Sequence, residues 1–341
     1  MKAEKYIIAL SLIAICILSR AQDIHFSQTD ATPLLNNPAL TGLFKGNHRA
    51  ILNYKEQWKN VAYPYKTFAL QYDANFGKLK LGNKDKLGIG AAVYSDKAGE
   101  ANMGITQANL MAAYYKMFNN SHAVSIGFQG GFTQHSYNPA NLTWDNQYQF
   151  DLGYNPNLPS NEPQTESSQF SFFDGATGIA YEYRKDKYLG TNVGIALHHV
   201  QSTDLKYYGL NDQTLYRRIT AHGVMEKKIK NSETTFYPAF IYRKQNKSQE
   251  FVYGCMIKYQ LDEKKFQGNI LETAINFGVY NRYGDAVIFV SRFSYMHYTI
   301  GVSYDVTVSK LSEANKYKGG LEFSLIYITP YERRNKGSSL L

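Results

Sequence analysis

Apolar and polar residues alternate without a break over residues 298–308, which read YTIGVSYDVTV. Tyrosine, isoleucine and valine occupy the even positions, whereas threonine, glycine, serine and aspartate occupy the odd ones. Side chains of a β-strand point alternately to its two faces, so one face here is apolar and the other is small or polar. A strand of about ten residues is long enough to cross a bilayer when it is tilted. The segment is therefore typical of a membrane-spanning β-strand.

The same alternation recurs along the chain in segments of about ten residues that are separated by turn-forming residues. The pattern is clear in residues 122–134, where valine, isoleucine and phenylalanine alternate with serine, glycine and glutamine. Fourteen such segments cover residues 48–58, 66–74, 86–95, 106–117, 122–134, 175–184, 188–199, 216–227, 235–243, 250–261, 270–280, 286–294, 297–308 and 320–328. They predict an all-β fold, namely an outer-membrane antiparallel up-and-down β-barrel of about 14 strands. The bounds of the weaker segments are also compatible with twelve or sixteen strands.

The N-terminus predicts export. Lys2 and Lys5 precede an apolar run over residues 6–18, and small residues flank a cleavage site near Ala21. This arrangement is that of a secretory signal peptide. Cys16 leaves a lipoprotein signal as the alternative. The predicted organisation is a signal peptide (1–21), an N-terminal strap or plug (22–47), the barrel (48–328) and a periplasmic tail (329–341), with a disordered leader as the alternative for the second segment.

Composition narrows the class of partner. The chain carries a formal net charge of +9 and 15% aromatic residues. Because the chain is predicted to be exported, nucleic acid is not the expected partner of this positive charge. The charge is expected to contact lipid headgroups or a protein partner. Cleavage near Ala21 would leave Cys255 as the only cysteine, so the exported chain would have no intrachain disulfide.

Loop lengths and aromatic residues predict the orientation of the barrel. An even number of strands places both termini on the periplasmic side. Residues 118–121 and 185–187 then form short periplasmic turns, and the longest connection, residues 135–174, is an extracellular segment rich in proline and without strands. Aromatic residues are expected on the outer face at the periplasmic ends of the descending strands: Tyr72, Tyr183, Tyr259 and Tyr327.

No pattern in the sequence predicts catalysis or a cofactor. Gly88-Ile89-Gly90 lies within an alternating strand, so lumen-facing glycine explains it better than a dinucleotide motif. His198 and His199 are adjacent on a strand and are expected to point to opposite faces, which prevents both from binding one metal ion. The inward carboxylates are expected to belong to a polar network that fills the barrel: Asp73, Glu182, Glu272 and Asp305.

Several local sequences resemble the PorP/SprF family of Bacteroidetes outer-membrane proteins, which are associated with type IX secretion and gliding. Residues 22–28 (QDIHFSQ) are similar to the family's Q-D-x-x-F-S-Q, and residues 37–42 (NPALTG) to its N-P-A-x-x-G. Residues 54–58 (YKEQW) stand where the family usually has Y-R-x-Q-W. Residues 304–311 and 319–325 resemble its terminal hairpin. The order and spacing of these motifs extend the resemblance over nearly the whole mature chain.

The resemblance implies a non-enzymatic barrel that anchors, or assists the export of, a large secreted surface protein such as an adhesin. Its partners would be that protein, type IX secretion components and outer-membrane lipid, with no nucleic acid and no cofactor. Candidate partner-binding or plug residues are Phe26, Ser27, Gln28, Asn37, Pro38, Gln57, Trp58, Tyr304, Asp305, Ser309 and Lys310.

Each motif also has a physical interpretation. Asn37-Pro38 is a turn former, Gln57-Trp58 an interface anchor, and Gly319-Gly320 a site of positive φ where the chain re-enters the sheet. Two other functions remain open. One is a channel for hydrophobic or small solutes, because fatty-acid transporters also combine fourteen strands with an N-terminal plug. The other is a secreted β-sandwich or surface enzyme.

Overall fold

A computed structural model describes residues 23–57, 64–76, 85–99, 101–136, 138, 142–149, 151–161, 169–207, 210–266, 269–309, 312 and 318–329. The predicted signal peptide and most of the predicted tail, with Trp58 and Lys310, lie outside these residues. Among the described residues, no helix has the length and apolar character needed to cross a membrane.

Fourteen antiparallel strands close into one barrel, as the alternation predicts. The barrel strands are β1 (His48–Gln57), β2 (Tyr65–Phe76), β3 (Lys86–Ala98), β4 (Met103–Met117), β5 (His122–Ser136), β8 (Gln169–Arg184), β9 (Leu189–His198), β12 (Arg218–Lys228), β13 (Thr234–Gln245), β14 (Ser248–Phe266), β15 (Asn269–Arg282), β16 (Ala286–Met296), β17 (Tyr298–Thr307) and β18 (Lys318–Ile328). Two small hairpins lie outside the barrel and consist of β6 (Tyr148–Gln149) with β7 (Gly153–Tyr154), and β10 (Asp204–Tyr207) with β11 (Leu210–Thr214).

Each barrel strand pairs with the next barrel strand along the chain, and β1 pairs with β18 to close the cylinder. We call this last pair the seam. Its register runs from Arg49 opposite Ile328 to Glu56 opposite Leu321. Every strand therefore has two hydrogen-bonded neighbours, and the barrel has no free edge.

The two faces of the barrel have inverted polarity compared with a water-soluble protein. Large apolar side chains are exposed on the outer face, including Leu110 at 72% and Phe132 at 66%. Polar side chains are buried on the inner face, including Asn53 and Thr220. In β17, Ile300 and Val302 face outward while Ser303 and Asp305 face inward. The predicted assignment of faces is confirmed in this strand.

The two ends of the barrel differ in their connections. At one end, which we call the short-turn end, brief turns such as residues 118–121 and 185–188 join the strands. At the opposite end, which we call the long-loop end, longer connections join β5 to β8 and β9 to β12. The predicted aromatic residues lie on strands near the short-turn end: Tyr72, Tyr183, Tyr259 and Tyr327. The rings of Tyr327 and Tyr298 contact each other there in a tilted arrangement, with centroids 4.9 Å apart.

Two sequence predictions about these connections were wrong. The longest loop contains short strands, because the side chain of buried Gln147 holds a compact turn by donating to the carbonyl oxygen of Leu158 at 2.9 Å. The glycines at 319 and 320 do not have positive φ. They lie within β18, where a Cβ atom on Gly319 would stand 1.9 Å from the carbonyl oxygen of Asp305. Close approach of two strands at a register shift therefore explains that glycine.

Candidate functional site

Residues 23–42 occupy the lumen, and we call them the plug. They contain two 3₁₀ turns, Thr29–Ala31 and Pro38–Leu40, and one α-helical turn, Pro33–Asn36. The plug begins at the long-loop end, where the backbone N–H of Asp23 donates to Gln245 at 3.3 Å. It ends near the short-turn end, where the N–H of Gly42 donates to Asp73 at 2.7 Å. The even strand count predicts both termini on one side of the membrane, and this prediction is wrong for the start of the described chain. The plug passes through the lumen, so Asp23 lies at the opposite end of the barrel from His48, the first residue of β1.

The first plug residue is held by buried charges. The carboxylate of Asp23 lies 2.6 Å from Nε2 of His199 and 2.9 Å from Nη1 of Arg218. Nδ1 of His199 faces a second carboxylate, that of Asp174, at 2.8 Å. Burial opposes the charged imidazole, but the two carboxylates outweigh it and raise the pKa of His199 to about 9. Burial likewise opposes the ionised Asp23, yet His199 and Arg218 lower its pKa below the usual range. Both groups are therefore ionised at neutral pH.

Residues 25–28 of the plug bond to both strands of the seam. Ser27 and Gln28 contact β18, and His25 contacts β1. The backbone N–H groups of Ser27 and Gln28 donate to the two oxygens of Glu322 on β18, at 2.7 and 3.1 Å. On β1, Nζ of Lys55 donates to the carbonyl oxygen of His25 at 3.0 Å. A buried carboxylate that accepts two backbone N–H groups satisfies donors that would otherwise be costly to leave unpaired. The plug therefore crosses the inner side of the seam.

The hydroxyl of Ser27 also joins a charged cluster on the wall. It donates to Asp305 at 2.8 Å and accepts from Nη2 of Arg282 at 2.9 Å, while Arg282 and Asp305 form an ion pair at 3.0 Å. Further along the plug, Asp30 pairs with Arg292 in a bidentate arrangement. These contacts fix the plug's depth and orientation, since a bidentate pair restricts geometry as well as distance.

Apolar and amide contacts hold the middle of the plug. Phe26 is buried against Ala69 and Tyr94. The side chain of Gln71 both accepts from the N–H of Leu34 at 3.1 Å and donates to the carbonyl oxygen of Ala31 at 3.2 Å. The plug is thus packed against the wall as a protein core would be.

Asn37 and Pro38 rest on a row of wall glycines. Asn37 caps the second 3₁₀ turn by accepting from the N–H of Ala39 at 2.8 Å, which confirms the predicted turn. A Cβ atom on Gly127 would lie 2.3 Å from the backbone of the plug, and one on Gly88 would lie 1.9 Å from Thr41's carbonyl oxygen. Only glycine lets two backbones approach this closely. The lumen-facing position predicted for Gly88 is confirmed.

The candidate residues divide into four groups. Asp305 belongs to the wall residues that bond to the plug, which we call the plug seat. Five others belong to the plug itself: Phe26, Ser27, Gln28, Asn37 and Pro38. Three others lie elsewhere: Gln57 ends β1, Tyr304 points outward with 40% of its surface exposed, and Ser309 follows β17 and donates its N–H to Asp285 at 3.1 Å. Trp58 and Lys310 lie outside the described residues. Sequence reasoning missed the arginines of the seat, although they occupy inward positions of alternating strands: Arg218, Arg243, Arg282 and Arg292.

The prediction for the histidine pair was wrong. His198 and His199 are both buried inside the barrel, because β9 ends at His198 and His199 has a positive φ of 56°. Nε2 of His198 lies 3.1 Å from the carbonyl oxygen of Asn36, so both histidines contact the plug. Within the described residues, no group of three or more histidine, cysteine, aspartate or glutamate side chains is arranged to hold a metal ion.

A cavity of about 740 Å³ lies between the plug and the short-turn end, and we call it the vestibule. Pro33, Asn36 and Leu40 of the plug line its inner end, and exposed Asn120 lines the side near the β4–β5 turn. The plug therefore separates this space from the long-loop end of the lumen.

Comparison with known proteins identifies a family. No curated protein sequence matches the chain significantly. Solved structures with similar barrels include the P. putida toluene transporter TodX, at 8% identity, covering 87% of this chain and 93% of that chain with a TM-score of 0.46. The CymD monoaromatic hydrocarbon channel is 10% identical, with coverage of 89% and 94% and a TM-score of 0.47. Similarities of this size say nothing of what this chain binds.

The sequence itself gives a more informative match. The family described as type IX secretion system membrane protein PorP/SprF matches residues 18–327. That range includes the plug, its seat and nearly all of the final strand. The protein therefore belongs to the PorP/SprF family of type IX secretion system membrane proteins.

Proposed function

We propose that this protein is a non-enzymatic outer-membrane barrel that anchors, or assists the export of, a large secreted surface protein such as an adhesin. Family membership supports a role in type IX secretion. The observation that carries the proposal is the plug, which fills the lumen from Asp23 to Gly42 and bonds to the wall along its length. A barrel closed in this way suits an anchoring or docking role better than free passage of solutes.

Charge pairing explains why the plug would stay in place. Asp23 pairs with Arg218, and Asp30 with Arg292, while Glu322 accepts from two plug N–H groups. Withdrawing the plug would break all of these ion pairs and hydrogen bonds at the same time. Opening the lumen would therefore require a binding event that compensates for the loss of these contacts.

The proposal also covers the orientation of the barrel in the membrane and the roles of the two terminal segments of the chain. The short-turn end faces the periplasm and the long-loop end faces the outside, in keeping with the loop lengths usual in outer-membrane barrels. The signal peptide is removed near Ala21, and residues 329–341 form a periplasmic tail. Outer-membrane lipid surrounds the apolar outer face.

Deletion of residues 24–36 tests the docking role. The barrel ladder contains no plug residue, so the deleted protein should still fold and show heat-modifiable migration on a gel. Surface display of the partner, measured by antibody staining of whole cells, should fall, and the pull-down of the partner should weaken. Lys187→Ala is the control, because Lys187 is exposed in a short turn and belongs neither to the plug nor to the vestibule wall.

The opposite result would favour the second candidate, a channel for hydrophobic or small solutes. The vestibule is the observation that supports this candidate, since part of its wall is apolar. Unchanged display and binding, together with raised uptake of small apolar solutes into liposomes, would reject the docking role.

A further inference from the structure

The vestibule has two chemically different walls. Strands β13 to β15 contribute an apolar wall: Tyr237, Ala239, Ile241, Met256 and Tyr280. The neighbouring strands β8, β9 and β12 contribute polar groups: Glu182, Thr191, Asn192 and His222. Its volume falls within the range of about 300 to 1,000 Å³ that is typical of ligand sites. The hydrogen bonds and ion pairs between plug and wall that are described above assign no role to this cavity.

Four charged side chains of or beside the vestibule wall form two ion pairs with each other. Nη2 of Arg184 lies 2.9 Å from Glu226, and Nζ of Lys258 lies 2.5 Å from Glu272. Such mutual pairing disfavours a strongly charged ligand, because its charge would compete with pairs that already exist. The apolar wall is the feature that a ligand would recognise.

An occupant must suit both walls at once. A hydrocarbon chain would cover the apolar wall, but it would also desolvate the polar wall without hydrogen bonding to it, which is unfavourable. An extended polypeptide presents alternate side chains in opposite directions and carries backbone donors and acceptors between them. It can therefore place apolar side chains on the wall of β13–β15 while its backbone and other side chains meet the polar groups.

We propose that the vestibule receives a short extended segment of a partner polypeptide, apolar along one face, which enters from the short-turn end. The plug blocks entry from the long-loop end, so the partner is one that reaches the periplasmic side. This inference rests on the proposed function and adds a binding site to it, since the segment would belong to the exported protein.

Photo-crosslinking on adjacent residues tests the site. Met256 lies on the vestibule wall, and Ile257 is the next residue of β14 and points to the outer face with 43% exposure. A benzoylphenylalanine side chain at position 256 should crosslink in intact cells to a polypeptide. Mass spectrometry should map the adduct to one short segment with alternating apolar residues. The same probe at position 257 should yield lipid adducts. Lipid adducts alone at position 256, small-molecule adducts alone, or no adduct would overturn the proposal.

A space-filling variant gives an independent measurement. Ala239→Trp narrows the vestibule, and Ile257→Trp adds the same side chain to the outer face. We expect Ala239→Trp to lower partner display by about tenfold, equivalent to about 1.4 kcal/mol, and Ile257→Trp to leave it unchanged. Both barrels should keep heat-modifiable migration. If the variant Ala239→Trp fails to fold, the crosslinking result at position 256 decides whether the vestibule binds a polypeptide.

The two proposals fail in different ways. If display of the partner requires the barrel but is unchanged in the variant Ala239→Trp, the vestibule site is rejected and the anchoring role stands. Display that persists when the whole barrel is absent would reject the anchoring role itself.

Discussion

His199 is the residue whose charge state is set most clearly by the plug. Its imidazolium bridges Asp23 on the plug and Asp174 on the wall, and its pKa is raised from 6.5 to about 9. A group with a raised pKa in the folded state stabilises that state fully below pH 6.5, and the contribution is lost as the pH rises towards 9. Asp23 has a lowered pKa, so its own contribution is lost only on acidification.

We therefore expect the thermal midpoint of the folded barrel to fall between pH 6.5 and pH 9.5 more steeply than in the variant His199→Gln. Glutamine keeps a donor but does not titrate, so the difference between the two proteins isolates the imidazole from other ionisable groups. The midpoint can be followed by heat-modifiable migration in detergent. Parallel pH curves for the two proteins would contradict the assignment of charge to His199.

At the scale of one element, β17 offers a matched test of the two faces. Val302 points outward and Thr299 lines the vestibule. An arginine at mid-bilayer on the lipid face costs about 2 to 4 kcal/mol, whereas an arginine in a hydrated lumen remains solvated. Val302→Arg should therefore reduce the yield of folded barrel and Thr299→Arg should not. Equal folded yields would mean that the strand's assigned face is incorrect.

Alternation predicted the strands well because each side chain's environment depends on its own position in the period. All fourteen segments correspond to barrel strands, including the weak segment at residues 216–227 that becomes Arg218–Lys228. Several strands extend further towards the long-loop end than predicted, including β3, β4, β5 and β8. β8 begins at Gln169, six residues before the predicted start, since the hydrogen-bonded ladder continues where the alternation of polarity has ended.

The plug seat was harder to predict because it depends on contacts distant in sequence. Ser27 meets Asp305 and Glu322 only after the barrel has closed, and no periodicity links these residues. The turn of His199 into the lumen depends on one positive φ angle, which an alternating pattern does not encode. The motifs at residues 22–28 and 37–42 marked the plug, but only the fold shows which wall residues receive it.

For the whole molecule, the proposed orientation predicts which residues are accessible from outside the cell. Leu152 is 81% exposed in the longest loop, and Lys187 is exposed in a short turn. In a Cys255→Ser background, a membrane-impermeant thiol reagent should label Leu152→Cys on intact cells. It should label Lys187→Cys only after the outer membrane is permeabilised. Labelling of Lys187→Cys alone on intact cells would reverse the orientation.

The plug's contacts with both seam strands have a consequence for the order of events during biogenesis. Lys55 of β1 and Glu322 of β18 come from opposite ends of the barrel sequence, yet both bond to residues 25–28. The segment synthesised ahead of the first strand can thus serve as the template on which the last strand docks. The part of the chain that is synthesised first would then be required for the last step of barrel formation, the pairing of β18 with β1.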